Sequence, residues 1–373
     1  MTKASKRIYI ATGILIAFTV AIFIISKSTA VAEWFTRHVY FPLAKFFGPF
    51  FAHVDFAVFE VFLFIFAAAI LTLLIFTIYY FVHKNTEKAN ACLSSLLLVI
   101  TCVITIYTTL ASTMYNREPL SLSKNNEMLS QEEVETKVVA YFEDFKTVAE
   151  TIQKNSDGST ICPYSDKELI EKIQYEYSKL TSDYYLSYTA TPKQIASSYL
   201  MSAFGISGIT YIPTMEPGYN YQQLSIDKCV TIAHEIAHTK GIMREDKANE
   251  QAYSILLNSE DNYLRYVGFV CTYLYMARAL VLVNSEIKVT IPACVKVDKE
   301  LISSFWDKKA VFESLGDIIN SIYLKANSQN GTASYISYDD AYKKTIIDEH
   351  GDEKTVYVVN RFSDVQNMIF ALY

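Results

Sequence analysis

The sequence predicts a mainly α chain with a small β element: an α+β body preceded by three transmembrane helices. Three observations carry this expectation. Uncharged apolar runs fill much of the first 112 residues, helix-period amphipathic stretches dominate the remainder, and one short β-rich segment at 205–222 interrupts them. Of 373 residues, 51% are hydrophobic and 19% charged, with 11 Gly and 8 Pro, which excludes a disordered polymer, a collagen-like repeat and a small disulfide scaffold.

The charge is divided unevenly. Of 33 basic and 39 acidic residues, eight and four fall in residues 1–112, so the front end carries +4 and the remainder −10. Neither part has a Lys/Arg patch of the kind a phosphate backbone needs, so nucleic acid is not expected as a partner. The organisation expected is a membrane domain at 1–112 and an extracytoplasmic body at 113–373.

The spans come first. Residues 8–25, 61–82 and 92–111 are each long and apolar enough for a hydrocarbon core about 30 Å thick at 1.5 Å per residue. The first is read as a retained anchor rather than a cleaved signal, since two more spans follow it. Lys3, Lys6 and Arg7, with Lys84 and Lys88, mark the cytoplasmic side. Three crossings then put the body outside: a multi-pass cell-membrane protein with a cytoplasmic N-terminus and the lipid bilayer as a partner. The aromatic run 34–51, broken by Pro42 and Pro49, is too interrupted to span and is placed at the lipid–water boundary. Glu60 lies close enough to a span end to reach that boundary.

The body follows a polar connector at 113–130. Val134, Val138, Val139, Phe142, Phe145 and Val148 recur at helical spacing, Ser165 to Glu168 resembles a capped helix start, and KQIASSYLMSAF (193–204) reads as a short helix. Residues 205–213 switch to β-type side chains. Pro217-Gly218 supplies turn chemistry, Tyr219–Gln222 is expected as the returning strand, and Pro213 suggests a sheet edge. Long helices are expected over 226–284. The C-terminal part mixes strand-like pieces (EIKVTIPACVKV, KTVYVVN) with a helical one (KKAVFESLGDIINSIYLKA).

The chemistry is concentrated between Asp227 and Leu257. His234-Glu235-Ile236-Ala237-His238 matches HExxH. On a helix, residues four apart lie about 40° apart, so both imidazoles face one way and can hold one Zn²⁺, while Glu235 faces the water that the ion activates. Asp227 is a candidate N-cap for this helix and Gly241 a candidate stop. Two of the body's three histidines fall in this pair; the third is His350. A third ligand is needed. Glu245-Asp246-Lys247-Ala248-Asn249 resembles the ExxA(D/N) element that supplies a glutamate ligand in gluzincin-type metallopeptidases. It implies Glu245 as ligand and Asn249 hydrogen-bonded behind a ligand. Glu250, within NEQAY, is the competitor, about 140° round the helix. Ala248 and Ala252, opposite Ala233 and Ala237, would let two helices approach closely. The third-histidine position of the metzincin pattern is Arg244, which argues against that class.

Most of the chain resembles a bacterial group of membrane-anchored HExxH proteins filed as a domain of unknown function. The resemblance runs through the three spans, SSYLMSAFGISGITYIP (197–213), HEIAHTKGIMREDKAN (234–249), YLRYVGF (263–269) and YLKANSQNGTASY (323–335). It departs at VDFAVFE (54–60), where members usually show a Pro-Phe-Ser-type stretch, and at Lys247, where they usually carry an acidic residue. The resemblance implies a zincin-like body with one zinc ion and specifies no substrate.

The function expected is that of a membrane-anchored zinc metallopeptidase, a hydrolase cutting peptide or protein substrates by a zinc-activated water with Glu235 as general base. The competing expectation is a non-catalytic zinc-fold sensor or peptide-binding module at the cell surface. The hairpin at 205–213 is the candidate edge for an extended peptide. Tyr263, Arg265 and Tyr266 are candidates for stabilising the developing oxyanion, each more readily explained by packing. Cys229 falls off the metal face, the six cysteines lack CxxC spacing, and one or two disulfides in the body are compatible with the sequence. Asn330-Gly331-Thr332 reads as a turn.

Overall fold

The computed structural model describes residues 2–123, 128–347 and 353–373, so His350 lies outside the described residues. Among the described residues, three helices are long and apolar enough to cross a membrane: α1 (Lys3–Ile25), α4 (Val58–Val82) and α5 (Thr86–Leu110). Thr2 caps α1 and Asn85 caps α5 through side-chain oxygens. α1 and α4 both pack along α5, with Thr19 and Thr105 hydroxyls 2.7 Å apart across the first pair.

The aromatic segment between the first two spans departs from the broken course expected. It runs as α2 (Thr29–Phe35), a π turn (Thr36–Tyr40) and α3 (Phe41–Ala52). Pro42 lies in the first turn of α3, where no N–H is required. Tyr40, Phe41 and Ala44 turn inward and are buried with Met114, Tyr115, Leu186 and Met243, while Trp34, Phe46 and Phe50 stay exposed. This segment is therefore packed onto the body.

The body is helical around one apolar core. α6 (Gln131–Thr151) and α7 (Asp166–Ser178) begin with reciprocal capping boxes, Ser130 with Glu133 and Ser165 with Glu168. α9 (Ser225–Thr239), α10 (Glu245–Leu257) and α11 (Asn262–Leu282) follow, with α10 packed against both neighbours and α6 against α11.

A three-stranded sheet lies beside α9 in the order β1 (Lys193–Gln194), β3 (Glu216–Tyr219), β2 (Gly208–Tyr211). β1 takes residues expected to be helical, leaving α8 as Ser198–Ala203. The reversal falls at Ile212–Met215, where Met215 has φ 57°, rather than at Pro217-Gly218. Those two residues belong to β3, which pairs Thr210 with Pro217. Pro213 stands in that turn beyond β2, and β2 is an edge strand. EIKVTIPACVKV does not form a strand. Pro292 is the N-cap residue of a helix, α12 (Ala293–Lys309), whose Asp298 accepts from Thr160 N, Thr160 Oγ1 and Tyr266 OH at 2.9, 2.8 and 2.6 Å. α13 (Glu313–Ala326), the antiparallel hairpin β4 (Asp340–Ile347) with β5 (Glu353–Arg361), and α14 (Asp364–Phe370) complete the chain.

Two carboxylates join α4 to the body. Glu216 accepts from Val58 N and Phe59 N, both at 2.8 Å, from Thr214 Oγ1 and from Lys193 Nζ at 2.6 Å, so a body residue caps an apolar helix. Glu60, in the first turn of that helix, returns the contact to Ala196 N, Ser197 N and Ser197 Oγ at 2.7, 3.0 and 2.6 Å. It is buried in this clamp rather than extended into the boundary. The six cysteines are free thiols, so no disulfide contributes.

Candidate metal centre

The centre begins with how α9 ends. Asp227 is not its N-cap: the cap residue is Leu224, and Asp227 instead accepts from Trp306 Nε1 at 2.9 Å. Gly241 does stop it. Its φ of +93° is open to glycine, and Gly241 N and Ile242 N donate back to the last-turn carbonyls of His238 and Ala237. Arg117 Nη1 donates to Gly241 O at 2.9 Å, and a Cβ at Gly241 would lie 2.7 Å from that nitrogen. The reversal brings α10 back along α9, and Ala233, Ala237, Ala248 and Ala252 are fully buried at their contact.

This approach places His234, His238 and Glu245 together. His234 Nε2 is 3.1 Å and His238 Nε2 3.4 Å from the same Glu245 oxygen, Oε2. The ring tautomers follow from the other nitrogens. His234 Nδ1 donates to Asn249 Oδ1 at 2.7 Å and His238 Nδ1 to Ile242 O at 2.8 Å, which turns both Nε2 atoms toward Glu245. Asn249 is itself oriented by donating Nδ2 to Tyr335 O at 2.8 Å. Glu250 faces elsewhere, against Lys247 Nζ at 2.7 Å, and Lys247 also bonds Asp364 at 2.6 Å. Arg244 turns to Asp246.

The donor set fits a tetrahedral divalent ion. Ligand atoms about 2.1 Å from a tetrahedral Zn²⁺ lie roughly 3.4 Å from one another. The two nitrogen–oxygen separations match that edge. Electrostatics agree with the arrangement. Burial alone would lower the His238 imidazole and raise the Glu245 carboxyl. Their mutual attraction reverses both, so a proton is held where a cation would sit.

Glu235 is buried beside the pair. Burial pushes its carboxyl up, partly opposed by His238 and His234. Thr210 Oγ1, on β2, donates to Glu235 Oε2 at 2.6 Å. Gly208 allows the strand this close: a Cβ there would lie 2.5 Å from Glu235 Oε1 and 2.6 Å from Thr231 Cγ2.

The tyrosines at the centre are not those singled out from the sequence. Tyr263 packs in the core, Arg265 pairs with Asp144, and Tyr266 donates to Asp298. Instead Tyr115 donates to Glu245 Oε1 at 3.3 Å, its hydroxyl lies 3.2 Å from that of Tyr323, and the Tyr335 ring stacks over His234 with centroids 6.2 Å apart. Burial and the Glu245 carboxylate raise Tyr115 and Tyr335, keeping both hydroxyls neutral donors. Tyr323 and Tyr335 bound YLKANSQNGTASY, which was the one available signal.

A family model described as "Protein of unknown function (DUF3810)" matches residues 35–338, a span that holds every residue of the centre. Searches of curated proteins and of solved structures returned no match.

Proposed function

The chain belongs to the DUF3810 family of proteins of unknown function, and within it we propose that this protein is a membrane-anchored, zinc-dependent metallopeptidase with a zincin-like body. The observation that carries the reading is the convergence of two imidazole Nε2 atoms, each ring oriented by a hydrogen bond at the far nitrogen, on one buried carboxylate oxygen. His234, His238 and Glu245 would hold one Zn²⁺, and Asn249 orients His234. When bound, the ion supplies Lewis acidity that acidifies water and polarises a carbonyl.

The remaining chemistry belongs to side chains. A Glu235 carboxylate oxygen accepts the proton of the attacking water and passes it to the leaving amine nitrogen. Burial helps by raising its affinity for that proton, and the Thr210 hydroxyl fixes the carboxylate's orientation. The free edge of β2 offers backbone N–H and C=O groups to an extended peptide. Neutral tyrosine hydroxyls around Glu245 are donors near the site of developing negative charge. Lys3, Lys6, Arg7, Lys84 and Lys88 support a cytoplasmic N-terminus and an extracytoplasmic body.

The test compares the full chain with Glu235→Gln. One zinc per chain is expected in both, with cleavage of a mixed-sequence peptide pool by the native protein alone. Equal cleavage overturns the mechanism, absence of bound metal overturns the site, and zinc without cleavage in either leaves the non-catalytic sensor as the reading.

A further inference from the structure

α13 has two unlike faces. Its inner side carries Gly316 against the Phe204 carbonyl, Asn320 donating to Tyr335 OH at 3.3 Å, Tyr323 beside Tyr115, and Leu324 fully buried. The outer side carries Leu315, Ile318, Ile319 and Ile322, at helical spacing and each about half exposed or more. With Val311 and Phe312 before them, they form a continuous apolar stripe. A stripe of this kind does not persist against water on a soluble surface without an occupant.

The fold shows where that stripe lies. At the N-terminal end of α13, Phe312 N donates to Ala203 O at 2.7 Å, which ties the helix to α8. The loop entering α8 is held by Glu60 in the first turn of α4. At the C-terminal end, Asn327 Nδ2 donates to Tyr107 OH at 2.6 Å, in the last turn of α5. Lys27 Nζ, just past α1, donates to Ser328 Oγ at 2.8 Å. Both ends of α13 are thus pinned to the same ends of the apolar helices. A 14-residue helix pinned in this way runs along the plane in which those ends lie, over about 21 Å.

We propose that α13 lies in the surface of the bilayer, with Leu315, Ile318, Ile319 and Ile322 set into the boundary between headgroups and acyl chains. The occupant is the lipid of the membrane that α1, α4 and α5 cross, and the proposal rests on that crossing. Lys308, Lys309 and Lys325 flank the stripe and suit the headgroup level. The opposite side of the same helix contacts the tyrosines around Glu245, so the metal centre has a wall set by lipid depth.

The test uses the full chain in phosphatidylcholine vesicles containing a minority of phosphatidylcholine with a photoreactive diazirine in its acyl chain. After illumination, adducts are assigned by peptide mapping. Adducts on 311–322 at a yield like that of the outer turns of α1 and α5, with none on α7, support the proposal. Ile318→Lys together with Ile322→Lys should reduce the α13 adducts several-fold and leave those on the spans. Labelled spans with an unlabelled α13 overturn it, including the case in which α13 cross-links to a second copy instead. Unlabelled spans overturn the crossing itself, and the proposal with it.

Discussion

Asn249→Ala tests the metal reading without any knowledge of the substrate. The substitution removes the acceptor that holds His234 Nδ1 at 2.7 Å and the donor that reaches Tyr335 O at 2.8 Å. Loss of a hydrogen bond behind a ligand typically costs 10–100-fold in metal affinity, about 1.4–2.7 kcal/mol. Asn249 is half-buried, so water replaces part of what is lost, and roughly 10–30-fold weaker zinc binding is expected from that range. Asn249→Asp keeps the acceptor and should bind zinc within a few-fold of the native chain. Glu250→Gln breaks the pair with Lys247 and costs stability, yet should leave zinc affinity unchanged. Competition against a fluorescent chelator, with the full chain in detergent, reads all three. The reasoning fails if Asn249→Ala binds zinc like the native protein, or if Glu250→Gln loses zinc as Glu245→Gln does.

Gly208→Ala should retain zinc but lose about 100-fold in cleavage rate, because the added carbon forces Glu235 aside by a large fraction of an ångström. Native cleavage rates in the folded variant would refute this. Zinc affinity should rise with pH, since the ion must displace the proton that Glu245 helps hold on His238, raised from 6.5 to about 9. Calorimetry in two buffers of different ionisation enthalpy should detect up to one proton released per zinc at pH 7. None would contradict the assignment. Burial tends to raise the Glu33 carboxyl, but Arg117 outweighs it and holds it low, so that pairing stabilises the fold above the ordinary carboxylate range and fades as pH falls through the folded value. The melting-temperature gap between native and Glu33→Gln should therefore close in acid. Asp298→Ala strands three donors and should destabilise the body by about 3 kcal/mol or more, measured by denaturant unfolding.

Periodic features were legible in the sequence, and features made by distant partners were not. The three apolar helices, α6, α7, α9, α10 and α11 follow from runs of a single period. The i, i+4 spacing of His234 and His238 belongs with these, whereas Glu245 and Asn249 rested on the resemblance of their segment to a ligand element, with Glu250 left open. EIKVTIPACVKV misled because its alternation is brief and Pro292 begins a helix instead. Pro217-Gly218 has turn composition, yet Gly218 lies where a Cβ would meet the Ile195 side chain at 2.7 Å, a close approach within a sheet. Tyr115, Tyr323 and Tyr335 escaped notice for a different reason, the last two being marked only as the ends of YLKANSQNGTASY. Among 28 tyrosines, nothing local separates those that reach Glu245 from those that fill the core.

The centre also depends physically on the apolar helices. Tyr115 lies in the 3-10 turn that follows α5, and Arg117 holds the stop of α9 while pairing with Glu33 in α2. Lys193 and Glu216 are almost wholly buried as a pair, and apart from the Thr214 hydroxyl their remaining hydrogen bonds go to Phe51 O, Phe56 O, Val58 N and Phe59 N. Cutting the chain before residue 113 would strip those partners from a buried ion pair, whose desolvation is offset only when its other hydrogen bonds are made. It would also remove Tyr40 and Phe41 from beneath Met243. The N-terminal apolar region therefore acts as part of the body's core and its hydrogen-bond network, and the geometry of His234, His238 and Glu245 is a property of the whole chain.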